Sequence, residues 1–120
     1  MADTPALMSH AARIQDAILV RHVPIISREP GNSMTPILKS RQPCLLSPID
    51  RALKKGDIVF AKVKGNWYTH RILQVGDDGR VLIGNNHGHE NGWTSRVVAL
   101  ARPLTEAEVK YAKECGVESA

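Results

Sequence analysis

Aromatic side chains make up only 4% of the 120 residues, so aliphatic side chains must fill whatever core this chain forms. Cysteine is almost as rare. Cys44 and Cys115 are too far apart in sequence for a metal-type pair and too few for a disulfide ladder, a usage common in reducing compartments. No apolar run approaches the roughly 20 residues that span a bilayer, and no basic, apolar and small-residue succession marks an export signal. The expectation is a soluble, cytoplasmic protein with no membrane span. Clustered charge is missing too: the net charge is +4 and the pI about 9.3, yet among 16 Lys and Arg only Lys54 and Lys55 are adjacent. Scattered cations describe a solvated surface rather than a nucleic-acid footprint, so no nucleic-acid partner is expected. Internal repeats and low-complexity segments are absent, and a chain this short buries one core, hence one domain.

What is present starts with a helix. Over residues 5 to 22 the apolar side chains Leu7, Met8, Ala11, Ile14, Ile18 and Leu19 gather on one helical stripe, and Thr4 before Pro5 supplies a start signal. Lys and Arg do not line its other face, so it is expected to pack on the domain or on a partner subunit rather than on a membrane. Pro24 ends it, and Val23 to Ser27 reads as extended. Short strands then follow at Cys44 to Ser47, Asp57 to Val63, Trp67 to Val75, Val81 to Ile83 and Arg96 to Ala101. Gly65-Asn66 and Gly76-Asp77-Asp78-Gly79 are the expected turns between them. Thr105-Glu106-Ala107-Glu108 has the form of a capping box, opening a helix that Gly116 stops after Cys115. The reading is mostly β (α+β), with an N-terminal helical segment 1–22, a β domain 23–101 and a C-terminal helical tail 102–120.

Two places carry chemistry. Ser33, in Gly31-Asn32-Ser33-Met34-Thr35-Pro36, is a hydroxyl that becomes a nucleophile if a base reaches it, and His70, in Thr69-His70-Arg71-Ile72, is such a base at the end of an expected strand. Each also has a plainer reading. Serine among glycine, asparagine and proline is common turn chemistry, and a histidine on an alternating strand is often half-buried and merely satisfied. Met34 reads as a core residue as well as a substrate neighbour. His87-Gly88-His89-Glu90 offers two imidazoles and a carboxylate, but this is fewer ligands than zinc sites need, and the surrounding Asn85, Asn86, Asn91 and Gly92 describe a flexible loop near which Trp93 is expected to pack. No metal and no cofactor is expected.

Taken in order, Gly31-Asn32-Ser33-Met34-Thr35-Pro36, Lys55-Gly56-Asp57-Ile58-Val59, Thr69-His70-Arg71-Ile72 and Gly84-Asn85-Asn86 resemble the serine peptidase clan of signal peptidases and LexA-like self-cleaving repressors, over about residues 23 to 101. His70-Arg71 is similar to the branch whose base is histidine rather than lysine. The resemblance implies a LexA/signal-peptidase-like coiled β fold with one helix at each end. It implies Ser33 as nucleophile and His70 as general base. Gly31 and Asn32, with the Ser33 amide, would hold the oxyanion. Asn85 would orient the imidazole where the family usually has a carboxylate, while Val23, Ile25 and Met34 would line the site of an extended peptide substrate. No membrane helix, DNA-binding segment or Ala-Gly bond upstream of Ser33 accompanies these motifs in the sequence. Two functions therefore stand side by side: a Ser-His peptidase acting on a peptide or protein, and a catalytically silent peptidase-like module. The second would serve as a structural protein in a homo-oligomer or larger assembly, such as a phage virion.

Overall fold

The structure, a computed structural model, describes residues 8–31 and 33–120. The expected helix start at Thr4 and Pro5, the stripe residue Leu7, and Asn32 lie outside the described residues. Within them, α1 (His10–Gln15) runs directly into a π-helical turn, Asp16–Val20. The Ser9 hydroxyl caps α1 by accepting the Ala12 amide at 3.1 Å.

Seven strands follow: β1 (Ile25–Arg28), β2 (Pro43–Ser47), β3 (Ile58–Val63), β4 (Asn66–Val75), β5 (Val81–Gly84), β6 (Glu90–Thr94) and β7 (Val97–Pro103). Then come α2 (Glu106–Glu114) and a last short strand, β8 (Glu118–Ser119). Among the described residues all eight strands join one sheet in the order β6-β5-β4-β3-β7-β2-β1-β8, antiparallel except where β8 lies parallel to β1. The domain is mostly β, with a helical segment near each end of the chain.

Side-chain alternation along β3 explains how one sheet serves two cores. Val59, Ala61 and Val63 point to one face and pack with Ile72, Val81 and Ile83. On that face the sheet curls until the end of β6 returns to β3: the Thr94 hydroxyl donates to the Lys62 carbonyl at 2.7 Å, and the Lys62 amide donates to the Arg96 carbonyl at 3.0 Å. Phe60 points to the opposite face, where Ile14, Ala17 and Ile18 cover it together with Ile25, Met34 and Leu46. Trp67, on the same face of the adjoining strand, stacks on Phe60 with ring centroids 4.8 Å apart. A third, smaller cluster forms where α2 seats Val109 on Ile26 and Leu104. Strands β1 and β2 thus lie between two helical layers. Ile25 and Leu46 face one of them, Ile26 and Leu45 the other.

Four expectations need correcting. Leu19, expected in the buried stripe, is 52% exposed, because it stands beside the buried Ile18 at the edge of the stripe, and Val20 beyond it is 68% exposed. The hairpin turn falls one residue earlier than expected. Lys64 and Gly65 supply the two positive φ angles of 50° and 85°, and Asn66 already pairs with Val63. Glu90–Thr94, read as part of a loop, is β6, paired with β5. The C-terminal tail is more than helical, since β8 pairs with Ile25 and Ile26 of β1 and the Ala120 amide donates to the Ile26 carbonyl at 2.8 Å. The capping box is present, with Thr105 and Glu108 each accepting the other's backbone amide. No helix among the described residues is long and apolar enough to cross a membrane.

Candidate active site

Three segments distant in sequence converge at Ser33. The turn that carries it follows β1 and Gly31, whose φ of 102° only glycine adopts without strain. One backbone bond and two side-chain bonds hold that turn. The Asn86 amide donates to the Ser33 carbonyl at 2.9 Å, the Asn86 side-chain nitrogen donates to the Thr35 carbonyl at 2.9 Å, and Arg71 fixes Asn86 from behind through a 2.9 Å bond to its Oδ1. The Ser33 turn is therefore tied to β4 and to the segment after β5.

His70 sits on β4 opposite Val59 and is 7% exposed. Its Nε2 lies 3.0 Å from the Ser33 Oγ, and its Nδ1 lies 2.7 Å from the Asn91 Oδ1 of β6. An amide oxygen can only accept, so Nδ1 must carry the proton. The neutral ring then turns the lone pair of Nε2 toward the Ser33 hydroxyl, the tautomer a general base needs. Burial pushes the His70 pKa below its ordinary value of 6.5, assisted by the nearby His89; the Asn91 bond and the negative charge of Glu29 oppose the shift. The ring is thus kept neutral and proton-accepting at neutral pH.

Next to the Ser33 hydroxyl opens a small cleft of about 30 Å³, walled by Met34, Leu38, Cys44, Thr69 and Glu29. Met34 is buried in the helix-covered core and forms part of this wall, so its packing and substrate-neighbour readings coincide. The Thr69 hydroxyl donates to the Glu29 carboxylate at 2.7 Å. Burial, with the Glu29 charge, raises the Cys44 thiol to about 12, which leaves it an inert wall residue.

Several expected site residues are placed elsewhere. Asn85 does not reach His70. Its Oδ1 accepts the amides of His87 and His89, at 2.8 and 3.0 Å, and so closes the loop that precedes β6. The Gly31 amide donates to the Ser40 hydroxyl at 3.1 Å and is therefore occupied rather than turned to an oxyanion. Ile25 is buried in the core, Val23 packs against it, and neither lines the cleft. β1, which carries Ile25, pairs with β2 along its length on one side and with β8 at Ile25 and Ile26 on the other. Of the loop histidines, His87 Nε2 lies 3.0 Å from the Thr35 Oγ1, and no group of three His, Cys, Asp or Glu side chains among the described residues could hold a metal ion.

Asn91, Asn86, Thr69 and Glu29 were given no role in the site by sequence, although Asn86 and Thr69 stand in its motifs. The only signal for Asn91 was a strand-forming pair, Trp93-Thr94, just beyond it. No protein-family model, curated protein or solved structure matches this chain.

Proposed function

We propose that this chain is a Ser-His peptidase domain of the LexA and signal-peptidase type, hydrolysing an extended peptide. The observation that carries the reading is the continuous line Ser33 Oγ, His70 Nε2, His70 Nδ1, Asn91 Oδ1, with separations of 3.0 and 2.7 Å at its two hydrogen bonds. Serine is a weak nucleophile at its free pKa, and a positioned base typically contributes roughly 10²- to 10⁴-fold in rate.

In the first step the Ser33 oxygen attacks the scissile carbonyl carbon while its proton passes to His70 Nε2. The Ser33 amide, which donates to no acceptor among the described residues, faces the developing oxyanion. Collapse of the tetrahedral intermediate expels the amine, which takes the proton from His70 and leaves an acyl ester on Ser33. A water then gives a proton to His70 and attacks the ester, and the returning proton restores the serine. Asn91 holds the ring but brings no charge to the imidazolium, so turnover should be slow beside a carboxylate-supported triad.

Incubation with a peptide library tests this. Wild type should release fragments, Ser33→Ala and His70→Ala should release none, and both variants should remain folded. Equal cleavage by wild type and Ser33→Ala, or cleavage by neither, would remove the peptidase.

A second reading, the silent assembly module, is favoured by the exposed Leu19, Val20 and Tyr111, the last 70% exposed, and by the missing carboxylate behind His70. It requires a stable homo-oligomer or stoichiometric complex; a monomer by light scattering with no partner would end it.

A further inference from the structure

The small cleft beside Ser33 has a mixed lining, with Met34, Leu38 and Cys44 on one hand, Thr69 and Gln42 on the other, and one carboxylate. Met34, Leu38 and Cys44 are buried there, while the Glu29 side chain is 33% exposed. Oε1 of Glu29 accepts the Thr69 hydroxyl at 2.7 Å, and His10 Nε2 stands 3.9 Å from the same oxygen, beyond hydrogen-bond reach. Oε2 has no hydrogen-bond partner among the described residues. Lys39, the cation on the lining, is exposed at the rim and makes no ion pair with Glu29. At one-third exposure Oε2 is open to the cleft, and a cation carrying hydrogen-bond donors is the partner a carboxylate oxygen takes most strongly. The field of Glu29 reaches across the cleft, since the same charge helps hold the Cys44 thiol protonated.

We propose that this cleft is a specificity pocket for a lysine or arginine side chain adjacent to the scissile bond, with Glu29 as its counter-ion. The stem of such a side chain lies along Met34 and Leu38 while its head reaches Oε2, an arrangement that suits long cationic residues, whose methylenes bury readily. A neutral side chain leaves the carboxylate unpaired, and an acidic one is repelled. The pocket's place beside the reacting bond rests on the Ser33-His70 reading.

The test uses the full chain and matched peptides carrying Lys, Ala or Glu at one position. Hydrolysis is followed with wild type and Glu29→Gln, and binding of labelled peptides by anisotropy with Ser33→Ala alone and combined with Glu29→Gln. We expect kcat/KM for the Lys peptide to exceed that for the Ala peptide by about tenfold or more, a charge-assisted contact. Glu29→Gln should abolish the preference, and Glu29→Lys should reverse it toward the Glu peptide. Cleavage by wild type without preference, or a preference that survives Glu29→Gln, overturns the pocket and leaves the peptidase standing. Should wild type cleave nothing, the Ser33-His70 reading fails and anisotropy decides the pocket alone: Glu29-dependent selection of the Lys peptide sustains it, and equal or absent binding overturns it.

Discussion

His70 is held neutral by burial and steadied by an amide, and both facts have consequences in pH. Its folded pKa lies below the ordinary 6.5, so a base-dependent kcat/KM should stay level down to that pH and fall only in more acid solution. Stability follows the same sign. Between the folded pKa and 6.5 the unfolded chain binds the extra proton, so this histidine's contribution is present above about 6.5 and is lost as pH falls toward the folded pKa. Asn91→Asp would place a negative charge beside Nδ1. The acid limb should then move to higher pH, and kcat should rise by about tenfold or more as the imidazolium gains a counter-charge. A pH-rate profile unchanged by Asn91→Asp would mean that the 2.7 Å contact does not govern the base.

Ser33 and His70, the proposed nucleophile and base, were legible in sequence, but not what orients them. Ser33 and His70 stand in compact motifs, whereas Asn91 and Glu29 acquire meaning only through partners 21 and 40 residues away. Family spacing pointed to Asn85. That residue is instead used locally, accepting two loop amides.

The elements that bring these residues together are β5, β6 and the turn between them. Apolar alternation made β3, β4 and β5 legible, and the capping box made α2 legible. Glu90–Thr94 escaped because Asn, Gly and an exposed Trp replace the expected alternation, and its pairing with β5 carries a register shift between Ile83 and Gly84. Gly84 has a packing reason to be glycine. A Cβ there would lie 2.4 Å from Leu73 Cδ1 and 2.6 Å from the His89 carbonyl oxygen. Gly84→Ala must therefore push apart β4 and the loop before β6, shifting Asn86 and Asn91 together. We expect a loss of about 1–3 kcal/mol in denaturant unfolding, with activity falling further than the folded fraction does. A variant with wild-type stability and activity would show that the loop is not held by this approach. The π-helical turn Asp16–Val20 is not legible in sequence for a different reason, because hydrophobic spacing assumes i to i+4 geometry.

Across the whole molecule, one sheet with two faces explains where the site lies. The curl of β3 to β6 brings Asn91 behind His70, while the helix-covered face anchors Met34 beside Ser33. The C-terminal strand was invisible in sequence because two residues carry no periodicity. Its place against β1 is set by backbone pairing, by the ion pair from Arg21 to Glu118 and by Ala120 packing on the core. β8 covers the β1 edge at Ile25 and Ile26, and the cleft of Glu29, Thr69 and Met34 opens beside Ser33.

The account depends on the Ser33 hydroxyl being activated by His70. Its most direct test is covalent labelling with a serine-directed fluorophosphonate at neutral pH, with the site read by peptide mass spectrometry. The prediction is one adduct, on Ser33, absent from Ser33→Ala and formed at least about a hundredfold more slowly by His70→Ala. An unlabelled Ser33, or labelling at the same rate without His70, would contradict it.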